Sequence, residues 1–196
     1  MIAALEASVQ KLIVFNNISL DGYFVDAKND MSWAHNTKPD AEWDAFVAGN
    51  ASGASVLVFG RITYDLMASF WPTPMAAKNM PAVAEGMNRS KKVVFSRTMD
   101  KASWNNTRVV NSDPVAEVRK MKQESREGIC ILGSGSIVAQ LAPEDLIDEY
   151  QFALVPVVIG KGRTLFEGVT KKLSFKNTKA RAFANGNVLL CYEPTA

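Results

Sequence analysis

The sequence contains a glycine- and serine-rich turn between two apolar segments, "ILGSGSIV" at residues 131–138. Glycine lets a backbone approach a ligand closely, and the amide groups that open a helix can bind an anion. A phosphate group is therefore a ligand that suits this turn. An ordinary strand-to-helix connection can have the same composition, so this stretch alone leaves both interpretations open.

Two further strand ends carry groups that suit a phosphate. Gly60, Arg61 and Thr63 follow "SVLVF", and Ser96 and Arg97 follow "KKVVF". Taken singly, each end could be a helix start with a solvated arginine or a polar loop. Taken together, three such ends meet at the crevice where open α/β sheets bind ligands. Two arginines on separate strands can hold a doubly charged 2′-phosphate, which favours NADPH over NADH.

Common nucleotide-binding motifs do not fit this spacing. The Rossmann fingerprint needs a third glycine where Val138 stands, and its glycines belong to an early strand–helix unit. A P-loop needs Gly-Lys-Ser/Thr, which does not follow Gly135, and "GKGR" at residues 160–163 also lacks that pattern.

The elements that must position these residues alternate between strands and helices. Apolar segments predict strands over residues 11–20, 55–60, 91–96, 108–111 and 128–133. Amphipathic patterns predict helices from Asp40, from Arg61 with Ile62, Leu66 and Met67 on one side, from Ser112, and from Ser136. Residues 71–81 hold three of the eight prolines and are predicted to be largely loop.

The pattern changes after residue 146. Three strand-like segments follow without room for helices between them, and "ANGN" at residues 184–187 predicts a hairpin. Alternating strands and helices followed by consecutive strands predict an α/β domain with a mixed, mostly parallel sheet and an antiparallel C-terminal edge. The expected organisation is an N-terminal extension over residues 1–10 and one domain over residues 11–196.

Composition excludes several classes of function. The chain has 196 residues, of which 47% are hydrophobic, with 22 basic and 20 acidic residues and a net charge of +2. This balance gives no large basic surface, so a nucleic-acid partner is not expected. No segment has the roughly 20 apolar residues of a membrane span, and the N-terminus is a weak signal-peptide candidate. We therefore expect a cytoplasmic protein without a membrane partner.

Cysteine and histidine give little support for metal or triad chemistry. Cys130 and Cys191 both lie in apolar segments, which predicts buried, reduced thiols. The one histidine, His35, lies among polar residues and is predicted to be in a loop, and no zinc-type spacing occurs. No metal site is expected, and a Ser-His-Asp mechanism is disfavoured.

The ordered set of motifs resembles a known superfamily. "SLDGYF", "FGRITYDLM", "VVFSR", "ILGSGSIVAQL" and "VPVVIGKGRTLFEG" occur in this order between Ser19 and Gly168. The set resembles the dihydrofolate reductase-like superfamily and is most similar to its riboflavin-biosynthesis reductase branch, the RibD C-terminal domain type. The resemblance implies a single three-layer α/β domain of the dihydrofolate reductase-like fold, and NADPH as cofactor.

The resemblance also implies roles for particular residues. The adenosine side and its 2′-phosphate fall on Gly60, Arg61, Thr63, Ser96 and Arg97. The glycine-rich turn that holds the pyrophosphate comprises Leu132, Gly133, Ser134, Gly135, Ser136 and Ile137. The loop that covers the nicotinamide brings Ile18, Asp21, Gly22 and Tyr23 nearby.

The reaction implied is hydride transfer from NADPH to a C=N or C=O bond of a small pterin- or aminouracil-like heterocycle. Asp44 and Asp21 are the catalytic candidates; Asp40 and Glu42 are further possible proton donors. An ordinary explanation also exists for each, because acidic residues complement a helix N-terminus and Asp-Gly is a common turn pair.

Two other functions stay open on the sequence. One is a true dihydrofolate reductase or 5-amino-6-(5-phosphoribosylamino)uracil reductase, although the folate-site pattern is unconvincing and no zinc deaminase domain is present. The other is a module that binds NADPH without turnover. A homodimer is expected by resemblance, with the segment ending in "VPVVIGKGRTLF" as an apolar edge.

Overall fold

The computed structural model describes residues 10–35, 38–53 and 56–195. The strands are β1 (Leu12–Ser19), β2 (Tyr23–Asp26), β3 (Val56–Gly60), β4 (Lys91–Phe95), β5 (Thr107–Val110), β6 (Ile129–Leu132), β7 (Glu149–Val155), β8 (Gly162–Thr164), β9 (Phe175–Ala182) and β10 (Val188–Pro194). The α-helices are α1 (Ala41–Gly53), α2 (Arg61–Phe70), α3 (Pro74–Asn79), α4 (Pro81–Arg89), α5 (Pro114–Glu124) and α6 (Gly135–Leu141). Residues 1–9 of the predicted extension lie outside the described ranges.

One large sheet organises the described residues, in the strand order β5-β4-β3-β6-β1-β7-β10-β9. The strands from β5 to β7 in that order run parallel, and β10 is antiparallel to both β7 and β9. The predicted hairpin therefore joins β9 to β10. A separate two-stranded sheet pairs β2 with β8. The predicted mixed sheet with an antiparallel C-terminal edge is confirmed.

Helices cover both faces of this sheet, which explains the continuous apolar strands. All five residues of β3 are buried, because alternate side chains enter two different cores. One core contains Val58 with residues of α5 and α6, and the other contains Phe59 with residues of α2 and α4. The predicted three-layer α/β fold is confirmed.

Residues 74–89 correct the loop prediction, because they form α3 and α4. Pro74 and Pro81 each stand in the first turn of a helix, where a missing N–H removes no intrahelical hydrogen bond. The Thr73 hydroxyl caps α3 by accepting a hydrogen bond from the Ala76 N–H at 3.2 Å. The prolines therefore begin helices here.

The segment expected as an apolar edge, residues 155–166, does not form an edge of the large sheet. Strand β7 ends at Val155, where the Val157 N–H donates to the Val155 carbonyl at 2.7 Å and turns the chain. Moreover, β7 lies inside the sheet between β1 and β10. The edge strand on this side is β9, which exposes Lys176 and Lys179.

Candidate functional site

The three predicted strand ends meet in one groove. Strands β3, β4 and β6 are parallel neighbours, with Gly60 paired to Phe95 and Val58 paired to Ile131. Their carboxyl ends open into a cavity of about 400 Å³. The predicted cofactor-binding residues that line it are Gly60, Arg61, Thr63, Ser96, Arg97, Ser134, Gly135, Ser136 and Ile137.

Glycine is required twice in the turn after β6, for different reasons. Gly133 has a φ of 59°, in the left-handed region that favours glycine. A Cβ added to Gly135 would lie 2.9 Å from Cε1 of Phe24, which is closer than carbon atoms pack. The first requirement is conformational, and the second comes from the side chain of β2 that packs on the turn.

Ser134 holds two strand ends together. Its hydroxyl accepts a hydrogen bond from the Gly60 N–H at 2.9 Å and donates one to the Leu132 carbonyl at 3.1 Å. Its N–H donates to the Thr63 hydroxyl at 3.2 Å. The buried Ser134 side chain thus bonds to the protein backbone, whereas Ser136 is exposed in the groove.

Two helices begin in the groove without side-chain caps. Gly60 precedes α2 and Ser134 precedes α6, and at neither end does the capping residue's side chain accept a hydrogen bond from the first N–H groups of the helix. Uncapped N–H groups at helix starts attract anions.

Arg61 and Arg97 add positive charge to this part of the groove. The Nε of Arg61 donates to Asp65 at 2.6 Å, while Arg97 is exposed and has no ion pair among the described residues. The neighbouring Ser96 hydroxyl accepts hydrogen bonds from the Thr98 and Met99 N–H groups, at 3.3 and 3.1 Å. Ser96 therefore shapes the loop that presents Arg97.

An apolar wall of the groove was missed by the sequence analysis. Ile62 is 58% exposed and Leu66 is 37% exposed, and both line the groove, whereas Met67 packs against the core. The helical pattern of α2 had placed all three on one side. Exposed apolar side chains beside basic groups suit a planar ring attached to a phosphate.

A second set of lining residues was also missed. It comes from β2 and β8, through Phe24, Val25 and Arg163, and from Met31 after β2. The two strands are antiparallel, and Val25 pairs with Arg163. They are far apart in sequence and both are short, so no local pattern indicates that they meet.

The predicted nicotinamide residues Ile18, Gly22 and Tyr23 lie near the end of β1 and do not line this groove. Leu132 and Gly133 of the glycine-rich turn, at the end of β6, do not line it either. Phe15 of β1 pairs with Leu132, so these two groups are on adjacent strands. Gly22 has a φ of 86°, as the tight turn into β2 requires.

Asp21 joins two loops. Its carboxylate accepts hydrogen bonds from the Ser19 hydroxyl at 2.6 Å and from the Ile159 and Gly160 N–H groups at 3.2 and 2.7 Å. The Ser19 hydroxyl, assisted by these two amides, lowers the pKa of Asp21 from its ordinary value of 3.8. These contacts favour an ionised, positioning carboxylate over a proton donor.

The carboxylates of α1 have separate surroundings. Asp40 caps the helix by accepting from the Glu42 and Trp43 N–H groups, and the Trp43 contact chiefly lowers its pKa. Glu42 is ion-paired with Arg181. Asp44 is exposed and does not line the groove. The structure therefore does not bring Asp44 and Asp21 to the phosphate-type groups.

Other chemistry has little support in the described part of the chain. No group of three or more His, Cys, Asp and Glu residues is placed to hold a metal among residues 10–35, 38–53 and 56–195. Within the same ranges no helix has the length and apolar character to cross a bilayer. Cys130 and Cys191 are free and buried as predicted, and burial raises the pKa of Cys130 to about 12.

The residues present fit a dinucleotide. Uncapped helix starts and arginine side chains suit phosphates, and the exposed Ile62 and Leu66 side chains suit an aromatic base. A Cβ on Gly60 would come into ordinary contact with Ser136 Oγ, 3.4 Å away, among the residues that line the groove.

Fold and groove together define a dihydrofolate reductase-like α/β protein. The chain is similar in structure to dihydrofolate reductase from Enterococcus faecalis complexed with NADP(H), with a TM-score of 0.62 and 13% identity. The similarity covers 95% of this chain and 97% of that one. Within this class the chain belongs to the RibD C-terminal domain family, which it matches over residues 10–189.

Two further proteins show the extent of the similarity. A crystal structure from Shewanella sp. PV-4, provisionally assigned to riboflavin biosynthesis, has a TM-score of 0.73 and 23% identity and covers 95% of this chain and 100% of its own. The uncharacterized protein YyaP of Bacillus subtilis (strain 168) is 25% identical over 183 residues, 93% of this chain and 94% of YyaP. The similarity to each of these two proteins thus extends along nearly the whole chain.

Proposed function

We propose that the protein is an NADPH-dependent reductase that transfers a hydride to a C=N or C=O bond of a small heterocyclic, pterin- or aminouracil-like compound. The observation that carries this proposal is the groove at the ends of β3, β4 and β6. It combines Arg61 and Arg97 with two uncapped helix starts and an exposed apolar wall. Such a combination suits the adenosine, the 2′-phosphate and the pyrophosphate of NADPH.

Each part of the groove has one assigned role. Arg61 and Arg97 hold the 2′-phosphate, with Thr63 and Ser96 beside them. The pyrophosphate lies against the first N–H groups of α2 and α6, at Gly60 and at the turn comprising Gly133, Ser134, Gly135, Ser136 and Ile137. The adenine packs on Ile62 and Leu66. Arginine provides both charge and paired donors for a phosphate.

The reacting end of the cofactor is assigned to the adjacent strand ends. When bound, NADPH supplies the hydride, and the protein orients it and excludes water. Ile18 near the end of β1, Gly22 and Tyr23 after it, and Leu132 at the end of β6 border this region in the proposal. Asp44 is the proposed proton donor to the substrate, and Asp21 holds the loop that covers the nicotinamide.

The first experiment is a calorimetric titration with NADPH and with NADH. We expect NADPH to bind more tightly, because only NADPH carries the 2′-phosphate. Arg61→Ala and Arg97→Ala should each weaken NADPH binding roughly tenfold or more and leave NADH binding unchanged. Arg119→Ala is the matched control, because Arg119 is an exposed arginine that pairs with Glu144 away from the groove. Binding of neither dinucleotide would overturn the proposal.

A second experiment separates the reductase from a module that only binds NADPH. In a screen with dihydrofolate, the aminouracil intermediate of riboflavin biosynthesis and related heterocycles, Asp44→Asn should retain NADPH binding and lose NADPH oxidation. Turnover of dihydrofolate or of the aminouracil would favour the true folate or riboflavin reductase, and binding without any turnover would favour the module.

A further inference from the structure

Arg163 lines the same groove as Arg61 and Arg97 but belongs to a different sheet. It belongs to β8, which pairs with β2 through Val25. Phe24 of β2 and Leu165, the residue directly after β8, pack on the glycine-rich turn: the Phe24 ring and the Leu165 carbonyl would lie 2.9 and 3.4 Å from a Cβ on Gly135. Arg163 is therefore anchored beside the start of α6, whereas Arg61 and Arg97 follow β3 and β4.

The guanidinium of Arg163 is held by one hydrogen bond and keeps further donors available. Its Nε donates to Glu167 at 2.8 Å, and the side chain is 41% exposed. Arg61 has the same arrangement with Asp65. Among the residues that the structure describes, no hydrogen bond or ion pair engages the two terminal nitrogens of Arg163. Those nitrogens supply four further N–H donors, enough for paired hydrogen bonds to a phosphate.

We propose that Arg163 is a further binding residue of this groove and contacts the pyrophosphate of the bound dinucleotide. This inference rests on the proposed function and extends it. The glycine-rich turn and α6, beside which Arg163 is anchored, are the elements assigned to the pyrophosphate. The 2′-phosphate is assigned to Arg61 and Arg97, which follow β3 and β4, so arginines from different elements recognise different parts of one ligand.

The two assignments differ in a measurable way. A pyrophosphate is present in both NADPH and NADH, whereas the 2′-phosphate is present only in NADPH. Arg163→Ala should therefore weaken binding of NADPH and NADH by the same factor, roughly tenfold. Arg97→Ala should weaken NADPH binding alone. A surface ion pair with Glu167 and no ligand would leave both affinities unchanged, because such pairs contribute little.

The experiment is a calorimetric titration of the full chain with each dinucleotide, with NADH measured by competition if its binding is weak. Arg119→Ala is the control for loss of one exposed, ion-paired arginine. Arg163→Lys is the second variant; it keeps the charge but not the paired donors, so both affinities should fall, by less than in the alanine variant. Melting temperatures check that each variant is folded.

Each outcome has one meaning. An equal loss for both dinucleotides supports the assignment. Unchanged affinities in both Arg163 variants, or a loss confined to NADPH, overturn the pyrophosphate contact while the proposed function stands. If the wild-type protein binds neither dinucleotide, the proposed function fails and the inference fails with it.

Discussion

At the residue scale, single polar side chains hold segments that are distant in sequence. Ser134 joins the ends of β3 and β6, and Asp21 joins the turn after β1 to residues 159–160. Both residues belong to motifs that the sequence analysis singled out for ligand binding. Their contacts show that part of such a motif serves to build the site.

Asp21→Asn should make the protein less stable at neutral pH. The lowered pKa of Asp21 means that its carboxylate contributes stability above its ordinary pKa of 3.8, and that this contribution is lost as the pH falls through the lower folded-state value. The difference between wild type and variant in urea midpoint should therefore shrink as the pH falls below 3.8. Asp100→Asn, at an exposed aspartate, is the control. A difference that is independent of pH would contradict this account.

Asn16→Leu should raise the free energy of unfolding. Asn16 is 2% exposed on β1, and neither its Nδ2 nor its Oδ1 bonds to a protein group in the described ranges. A buried polar group without a partner costs about 1–3 kcal/mol, and leucine of similar volume removes that cost. Urea denaturation measures the change. Asn50→Leu is the matched control: its amide donates to Gln151 at 3.3 Å, so the same substitution should not stabilise.

At the element scale, the groove depends on how closely β2 packs on the turn before α6. That packing leaves no room for a side chain at Gly135, whereas Gly49 inside α1 has no atom within 4 Å of an added Cβ. A side chain is therefore excluded at Gly135 and fits at Gly49, although neither glycine has a positive φ.

Gly135→Ala should destabilise the protein by about 1–3 kcal/mol through overpacking against Phe24. It should also weaken NADPH binding, because Phe24 lines the same groove. Gly49→Ala should instead stabilise by about 1 kcal/mol, since alanine favours a helix interior. Thermal unfolding and NADPH titration of both variants provide the measurement. Equal effects at the two positions would show that the close contact with Phe24 does not matter.

At the scale of the whole molecule, the sheet ends in β9, and this edge strand exposes lysines. Charged side chains on an edge strand oppose pairing with another sheet. The predicted homodimer therefore needs a different surface from a continuation of the sheet at β9.

Light scattering of the purified protein should give twice the mass of one chain. Lys179→Glu should leave that mass unchanged, because the dimer is not expected to form through β9. A single-chain mass would contradict the homodimer, and a loss of the dimer in the variant would contradict the exclusion of β9.

The sequence alone determined the fold class and which strand ends border the groove. Apolar strand segments, helix starts and the groups at Gly60, Ser96 and Gly135 are local features, and parallel neighbouring strands bring such ends together. Tertiary structure decided the rest. The pairing of β2 with β8 brought Arg163 to the groove, and the packing of α2 turned Ile62 and Leu66 outward. Contacts between distant segments set these positions, and hydrophobic periodicity carries no information about them.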